Sequence, residues 1–521
     1  MRHFWILIAL TLLAFGLRAG SLTAQSLWRD EVDALCYAYE FPHLLREALA
    51  PERAGGLQTP CACPPPPLPT DWTAGTLRER MVGLLGAMIR QNGPLYYFLL
   101  RGWVTLAGHT EYAMRFFSLL FGVLCVPLTA ALGTRLLGRT AATVAAALMA
   151  LSPYMVWYGQ EVKMYTLMPA LVLLALYSLR RGMDEGGAWW AVQVISTTLL
   201  LYIHIWGALL IPLQILWLLV EWPRWRPHGR GALAGMALLT LPYLPLALWQ
   251  APAALVRRET GFPYHPLGEM ALILLNGWST GILSRGWPWG ALACGGTAAL
   301  GLAGGLSRPA RQRTVLSLVL WLTVPLLVIW LISLRQPLFT DRYLIWCAPA
   351  FYLLVGAGRQ VLTPKTRNLV SLRLCGQSLL ALVVLGIFAL NLHAQATVPI
   401  KSDVRSAAAY VEARYRPGDL LIFQIPHIRY TFDYYFGPTD YLWADGLYTN
   451  HRTDGGEYRL SEEAAGRWMA LIVGERTRVW LIASEVEMWD KRNLVQGWLE
   501  RTFIRADEAH LARVDVYEYQ R

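Results

Sequence analysis

Ser26-Leu27-Trp28-Arg29-Asp30-Glu31-Val32-Asp33 follows closely on an apolar run from Phe4 to Leu22. A run of that length is enough to cross a bilayer core, which takes about 20 residues. An acidic cluster therefore emerges where a membrane helix ends. Carboxylates at a membrane face are costly unless solvated or paired, so they mark functional positions. The plain alternative is a solvated loop flanking the helix. Arg18 interrupts the apolar run and no good small-residue cleavage site follows it, so the run reads as an uncleaved first helix and not as a signal peptide.

The rest of the chain has the same character. Of 521 residues, 55% are hydrophobic and only 16% charged, against about 25% charged in soluble domains. Further apolar runs lie near 112–134, 140–158, 164–180, 188–204, 206–221, 232–249, 287–306, 314–334, 342–360 and 376–394. With the first helix they predict a polytopic α-helical membrane protein of about eleven spans. The net charge of +11 does not point to nucleic acid, because the basic residues cluster in short loops between apolar runs. With the N-terminus in the cytoplasm, the inside loops hold Arg135 and Arg139, then Arg180 and Arg181, then Arg224, Arg226 and Arg230. They continue with Arg308, Arg311 and Arg313, then Lys365, Arg367 and Arg373. Each is basic, as cytoplasmic loops are. This assignment treats 94–106 and 267–284 as interfacial stretches, since counting either alone as a span inverts the remainder.

The expected domains are 1–396, a membrane-embedded catalytic domain, and 397–521, a small α/β domain outside the cell membrane. In the latter, strand-like runs at Asp419–Ile425 and Thr477–Ala483 alternate with helical stretches. Residues 23–111 form the first external loop. It includes the helix-breaking Pro64-Pro65-Pro66-Pro67 and two apolar patches, Met81–Ile89 and Pro94–Leu106. Cys61 and Cys63 lie in this loop but are spaced too closely to bridge each other easily. The other cysteines lie mostly in apolar runs, and no Cys or His cluster predicts a structural zinc site.

This topology gathers polar residues on one membrane face with Asp30. They are Trp157-Tyr158-Gly159-Gln160-Glu161-Val162-Lys163-Met164-Tyr165, Leu201-Tyr202-Ile203-His204, and Phe339-Thr340-Asp341-Arg342-Tyr343. The bland readings are a polar turn capping two helices, a structural histidine, and an arginine snorkelling to the interface. The chemistry they would support is transfer of a group from a lipid-anchored phosphate. Lys163 and Arg342 supply cations at headgroup depth, and Asp30 is a base for a hydroxyl acceptor. Glu31, Glu161 and His204 are the groups available to a divalent metal, although no spacing motif joins them, and the sequence leaves a metal requirement open.

In family order, Leu27-Trp28-Arg29-Asp30-Glu31, Pro94-Leu95-Tyr96-Tyr97, Arg115 with Gly122, Gln160 to Tyr165, Tyr202-Ile203-His204 and Asp341-Arg342-Tyr343 resemble the bacterial glycosyltransferase family 39 proteins. These are relatives of the dolichyl-phosphate-mannose protein mannosyltransferases and of the lipid A aminoarabinose transferase, with the GT-C fold. The resemblance covers roughly 1–395. It implies an inverting enzyme that moves a sugar from a polyprenyl-phosphate donor to a hydroxyl acceptor at the outer face of the cell membrane. It makes Asp30 the expected catalytic base, with Glu31 beside it, and assigns Glu161 to acceptor or donor head. Lys163, Arg342, Tyr343, His204, Tyr96 and Tyr165 are then the expected donor- and substrate-binding residues. Two departures stand out. Lys163 replaces the family's usual arginine and loses its fork, and Asn92-Gly93-Pro94 stands where the family often has His-Pro-Pro. A transporter or lipid flippase is the alternative class. Transporters commonly show repeats with broken helices in both halves, and no repeat is visible here.

Overall fold

The computed structural model describes residues 2–38, 76, 93–255, 262–362, 370–438, 440–453 and 456–521. Cys61, Cys63, the Pro64–Pro67 stretch and the Met81–Ile89 patch lie outside the described residues, as do Lys365 and Arg367. The chain divides into two units. The first holds the described residues up to Leu22 and those from Gly93 to Ala396. The second holds residues 23–38 together with Thr397–Arg521. The acidic stretch thus belongs with the C-terminal residues, whereas the sequence places it with the membrane part.

The first unit is helical. Among the described residues, five helices are long and apolar enough to cross a membrane: Glu111–Leu137, Trp289–Leu306, Pro309–Ser333, Asp341–Val361 and Ser378–Thr397. A pair bent by 83°, Ile205–Val220 with Trp222–Leu239, makes a sixth. Eleven spans are not confirmed among the described residues: some apolar runs form helices shorter than a span, and others are broken. The run 140–158 is two helices, Arg139–Leu151 and Pro153–Gly159. Ser152 ends the first and caps the second, its hydroxyl accepting from the Met155 N–H. Pro153 follows at the first helical position, where a missing N–H costs nothing. Arg139–Leu151 and Trp189–Ile203 remain as shorter apolar helices.

Close backbone approach sets the packing. A Cβ on Gly358 would lie 1.8 Å from the Thr297 carbonyl oxygen, and one on Gly301 2.2 Å from that of Leu354. Helices Trp289–Leu306 and Ala348–Leu362 therefore meet backbone to backbone through glycines, as helices in lipid do. At one end of the unit, three of the basic loops meet. Arg135 pairs with Asp184 and Glu185, Arg224 with Asp184 and Glu221, and Arg180 with Glu221. Loops expected on one side of the membrane are thus found together. Within the bundle, Arg18 is fully buried and donates to the carbonyls of Ala14, Met149 and Ala150. The charge expected to interrupt the first helix thus satisfies the last carbonyls of the neighbouring one.

The second unit is a three-layer α/β structure. Strands β1 (Leu420–Phe423), β2 (Leu442–Asp445), β3 (Arg478–Ser484), β4 (Ile504–Leu511) and β5 (Val514–Gln520) form one sheet of order β2-β1-β3-β5-β4. The first three are parallel, and β5 lies antiparallel between β3 and β4. Alternation splits β1 between two cores. Leu421 and Phe423 pack with Trp480 and Ile482 against helices Val404–Glu412 and Ile428–Tyr435. Leu420 and Ile422 pack with Val479 and Leu481 against helices Glu462–Val473 and Leu494–Thr502. The sequence-expected strands at 419–425 and 477–483 are β1 and β3.

Candidate active site

In the first unit the site is built around the segment 160–166, which joins helices Pro153–Gly159 and Leu167–Glu185. The Gln160 side-chain amide anchors it, donating to the Arg18 carbonyl and the Ser21 hydroxyl, each at 2.8 Å. The Lys163 N–H closes back on the Glu161 carbonyl at 2.8 Å. The Lys163 carbonyl accepts from Ser118 Oγ at 3.0 Å, and that hydroxyl lies 3.3 Å from Tyr96 Oη. Tyr96 is fully buried and reaches the segment through Ser118.

Onto this segment come two others. The Tyr158 hydroxyl donates to Asp341 Oδ2 at 3.1 Å, and the Tyr158 and Tyr165 rings lie edge to face at 5.5 Å. The Arg342 guanidinium sits 5.8 Å from the Tyr165 ring. Glu161 is 2% exposed, and both it and Arg342 are within electrostatic reach of Tyr158. His204 lies 5.3 Å from the Tyr343 ring and within electrostatic reach of Lys163 and Arg342. Its Nδ1 accepts from the Trp206 N–H at 3.2 Å, which leaves the proton of a neutral ring on Nε2. Gly93, with φ +87°, lies against the Tyr202–Ile203 backbone; a Cβ there would be 2.4 Å from the Ile203 carbonyl carbon. The Asn92-Gly93-Pro94 departure therefore has a steric basis at its glycine.

Glu161, Lys163, Tyr165, His204, Arg342 and Tyr343, expected from sequence, thus gather in one unit. Tyr158 and Asp341 join them. Both stand in the quoted motifs, but nothing in the sequence signals their mutual hydrogen bond across 183 residues.

In the second unit, residues 29–38 are helical. Asp30 is partly exposed, with Arg29 Nε 3.8 Å from its Oδ1. Glu31 is 1% exposed and its Oε2 lies 2.8 Å from Lys401 Nζ. The Trp28 N–H also donates to that oxygen, and the Trp28 ring lies 5.7 Å from the Lys401 ammonium. The Leu27 N–H donates to the Tyr435 hydroxyl at 2.8 Å. The two adjacent carboxylates therefore differ. Glu31 is buried in an ion pair with Lys401, while Asp30 is partly exposed beside Arg29, a difference the sequence does not reveal. Lys401 was missed because its partner is 370 residues away. Cys36 on the same helix is disulfide-bonded.

Among the described residues, no group of three His, Cys, Asp or Glu side chains gathers as a metal site. Of the three groups available to a metal, Glu31 lies in one unit and Glu161 and His204 in the other.

Residues 91–249 match the family model of dolichyl-phosphate-mannose-protein mannosyltransferases. No curated protein matches the chain. Solved structures do. ArnT from Cupriavidus metallidurans in the apo state superposes with a TM-score of 0.56 at 12% identity, covering 99% of this chain and 97% of that one. The same protein bound to undecaprenyl phosphate gives 0.56 at 13%, with the same coverage. The oligosaccharyltransferase AglB from Archaeoglobus fulgidus, in complex with an inhibitory peptide and a dolichol-phosphate, gives 0.57 at 11%, covering 99% of this chain and 74% of that one. The chain shares the GT-C fold of these structures.

Proposed function

We propose that the chain is an inverting glycosyltransferase that moves a sugar from a polyprenyl-phosphate donor to a hydroxyl acceptor at the outer membrane face. The observation that carries this reading is the convergence of Lys163 and Arg342 with Glu161, His204 and Tyr343 in one unit. Two cations beside buried aromatic and carboxylate groups suit a phosphate whose tail stays in the bilayer. The likeness to ArnT, solved with undecaprenyl phosphate, and to AglB, solved with a dolichol-phosphate, supports it.

In this reading Arg342 grips the phosphate with its planar fork, and Lys163 adds a point charge. Asp30 takes the acceptor O–H proton as the acceptor oxygen bonds to the anomeric carbon. The bond from that carbon to the phosphate oxygen breaks, and its electron pair leaves with the phosphate, whose charge the two cations balance. One displacement inverts the anomeric centre. Glu31 is held by Lys401 and takes no proton; it orients the helix that carries Asp30. Glu161 contacts the sugar or acceptor head, and Nε2 of His204 is a hydrogen-bond donor to the same substrates. Two features support the outer face: a disulfide at Cys36, since such bonds persist in oxidising compartments, and the meeting of basic loops at one end of the helical unit.

The test is incubation of the purified protein with a panel of polyprenyl-phosphate sugars, following release of polyprenyl phosphate by mass. Release from at least one donor, faster when a hydroxyl acceptor is present, is expected. No release from any donor overturns the reading.

A further inference from the structure

The carboxyl ends of parallel strands are where open α/β sheets bind ligands. In the second unit, that end of β1 leads into helix Ile428–Tyr435, and β2 ends at Asp445. Trp443 stands on β2, the edge strand, and is 46% exposed. The Arg429 guanidinium lies 3.6 Å from its ring and 5.2 Å from that of Tyr430. Arg429 itself is only 9% exposed. Its Nε is 3.5 Å from Asp433 Oδ2, one helical turn on, while its Nη1 has no hydrogen-bond partner among the described residues. Asp445 is exposed and within electrostatic reach of Arg429. Asp33, on the helix that carries Asp30, is within electrostatic reach of Tyr430.

The plain account is that Arg429 pins Trp443 to blunt a sheet edge. It leaves two things unexplained. A large aromatic face stays open to water, and a buried guanidinium N–H goes unmet, which is unfavourable. Both are met by one kind of ligand. A pyranose ring has an apolar C–H face and a rim of hydroxyls that donate and accept. An aromatic platform takes the face, an arginine N–H reaches a ring or hydroxyl oxygen, and an adjacent carboxylate accepts from a hydroxyl.

We propose that Trp443, Arg429 and Asp445 form a saccharide-binding subsite in the C-terminal unit, taking a pyranose of the acceptor. Its role as an acceptor site rests on the transferase reading, whereas the binding itself does not. The ring can come from a glycan free in water or from a glycolipid headgroup; the chemistry recognised is the same. Asp30 and Asp33 lie three residues apart on one helix, hence on one face, and Asp33 is within electrostatic reach of Tyr430, the neighbour of Arg429.

The experiment uses the full chain in detergent, titrated with mannotetraose, cellotetraose and chitotetraose by saturation-transfer NMR. In parallel, native mass spectrometry follows incubation with glucosyl diacylglycerol micelles. Binding of a tetraose identifies a soluble glycan, and binding of the glycolipid alone identifies a headgroup. For the probe that binds, Trp443→Ala weakens affinity about tenfold, Trp443→Phe retains most of it, and Asp445→Asn weakens it less than Trp443→Ala. Thermal unfolding of each variant separates loss of fold from loss of contact, and Asp445→Asn, at an exposed position, serves if Trp443→Ala does not fold. Binding of none of the four probes overturns the subsite, as does unchanged affinity in both Trp443→Ala and Asp445→Asn. A chain that binds a probe through Trp443 yet releases no sugar from any donor refutes the transferase reading and leaves the subsite standing.

Discussion

Replacing Lys401 with Met removes the cation of the buried Glu31–Lys401 pair. The pair lies 2.8 Å apart with side-chain exposures of 6% and 0%. At an effective dielectric of about 20, that separation corresponds to an attraction of about 6 kcal/mol. Desolvation of two ions costs several kcal/mol each, so the intact pair is close to neutral as a whole. Removing one partner is different, because the remaining charge keeps its desolvation cost and loses its compensation, a penalty of about 3–5 kcal/mol. The Trp28 N–H that also donates to Glu31 is too long, at 3.4 Å, to offset it. The penalty falls on the helix at 29–38, which opens locally before the chain unfolds. Amide hydrogen exchange of peptides spanning that helix reads it directly. Lys401→Met should accelerate exchange there about 100- to 4,000-fold, since 1.4 kcal/mol is a factor of ten. The double variant Glu31→Gln with Lys401→Met should return it to within about tenfold of the parent. Equal exchange in the parent and in Lys401→Met would refute the ion pair as the element that holds this helix.

Arg342→Ala should weaken donor affinity about 10- to 100-fold, the loss of a charge-assisted contact, and Arg342→Lys should recover only part, because the fork is gone; donor binding by native mass spectrometry decides, and an unchanged affinity makes Arg342 a snorkelling anchor. Gly93→Ala should destabilise the helical unit by about 1–3 kcal/mol, through left-handed strain and overpacking against Ile203; an unchanged thermal midpoint would contradict the close approach. In the C-terminal unit the Asp515 carboxylate, 2.9 Å from His510 Nδ1, raises that imidazole above its ordinary value. Its contribution is therefore complete below about pH 6.5 and fades as pH rises through the elevated folded value. His510→Ala should flatten the pH 6–8 slope of thermal unfolding, and an unaltered slope would remove His510 as its source.

Local signals were legible where they are contiguous. The segment Trp157–Tyr165 and the triplet Asp341–Tyr343 each carry their aromatic and charged groups within a few residues, and their common surroundings follow from the expected alternation of helices. Strands β1 and β3 were legible as apolar runs flanked by polar residues. Three things were not. The break at Ser152-Pro153 sits inside an apolar run, where length alone suggests one span, and it takes the cap geometry to show two helices. Lys401 stands in no motif, because burial and a partner 370 residues away leave no mark on its neighbours. The buried Arg18 looks like an interruption of a span, and only the helix-end carbonyls of Met149 and Ala150 explain it.

Turnover of Asp30→Asn, measured beside donor affinity and thermal stability, tests the central claim most directly. The substitution keeps the size of the side chain and removes its basicity. A positioned general base contributes about 10²–10⁴-fold, so sugar transfer should fall by that order while donor affinity and the thermal midpoint stay at the parent values. Transfer at the parental rate would contradict the assignment of Asp30 as the base, and a loss of donor affinity or stability together with rate would assign it a structural role instead.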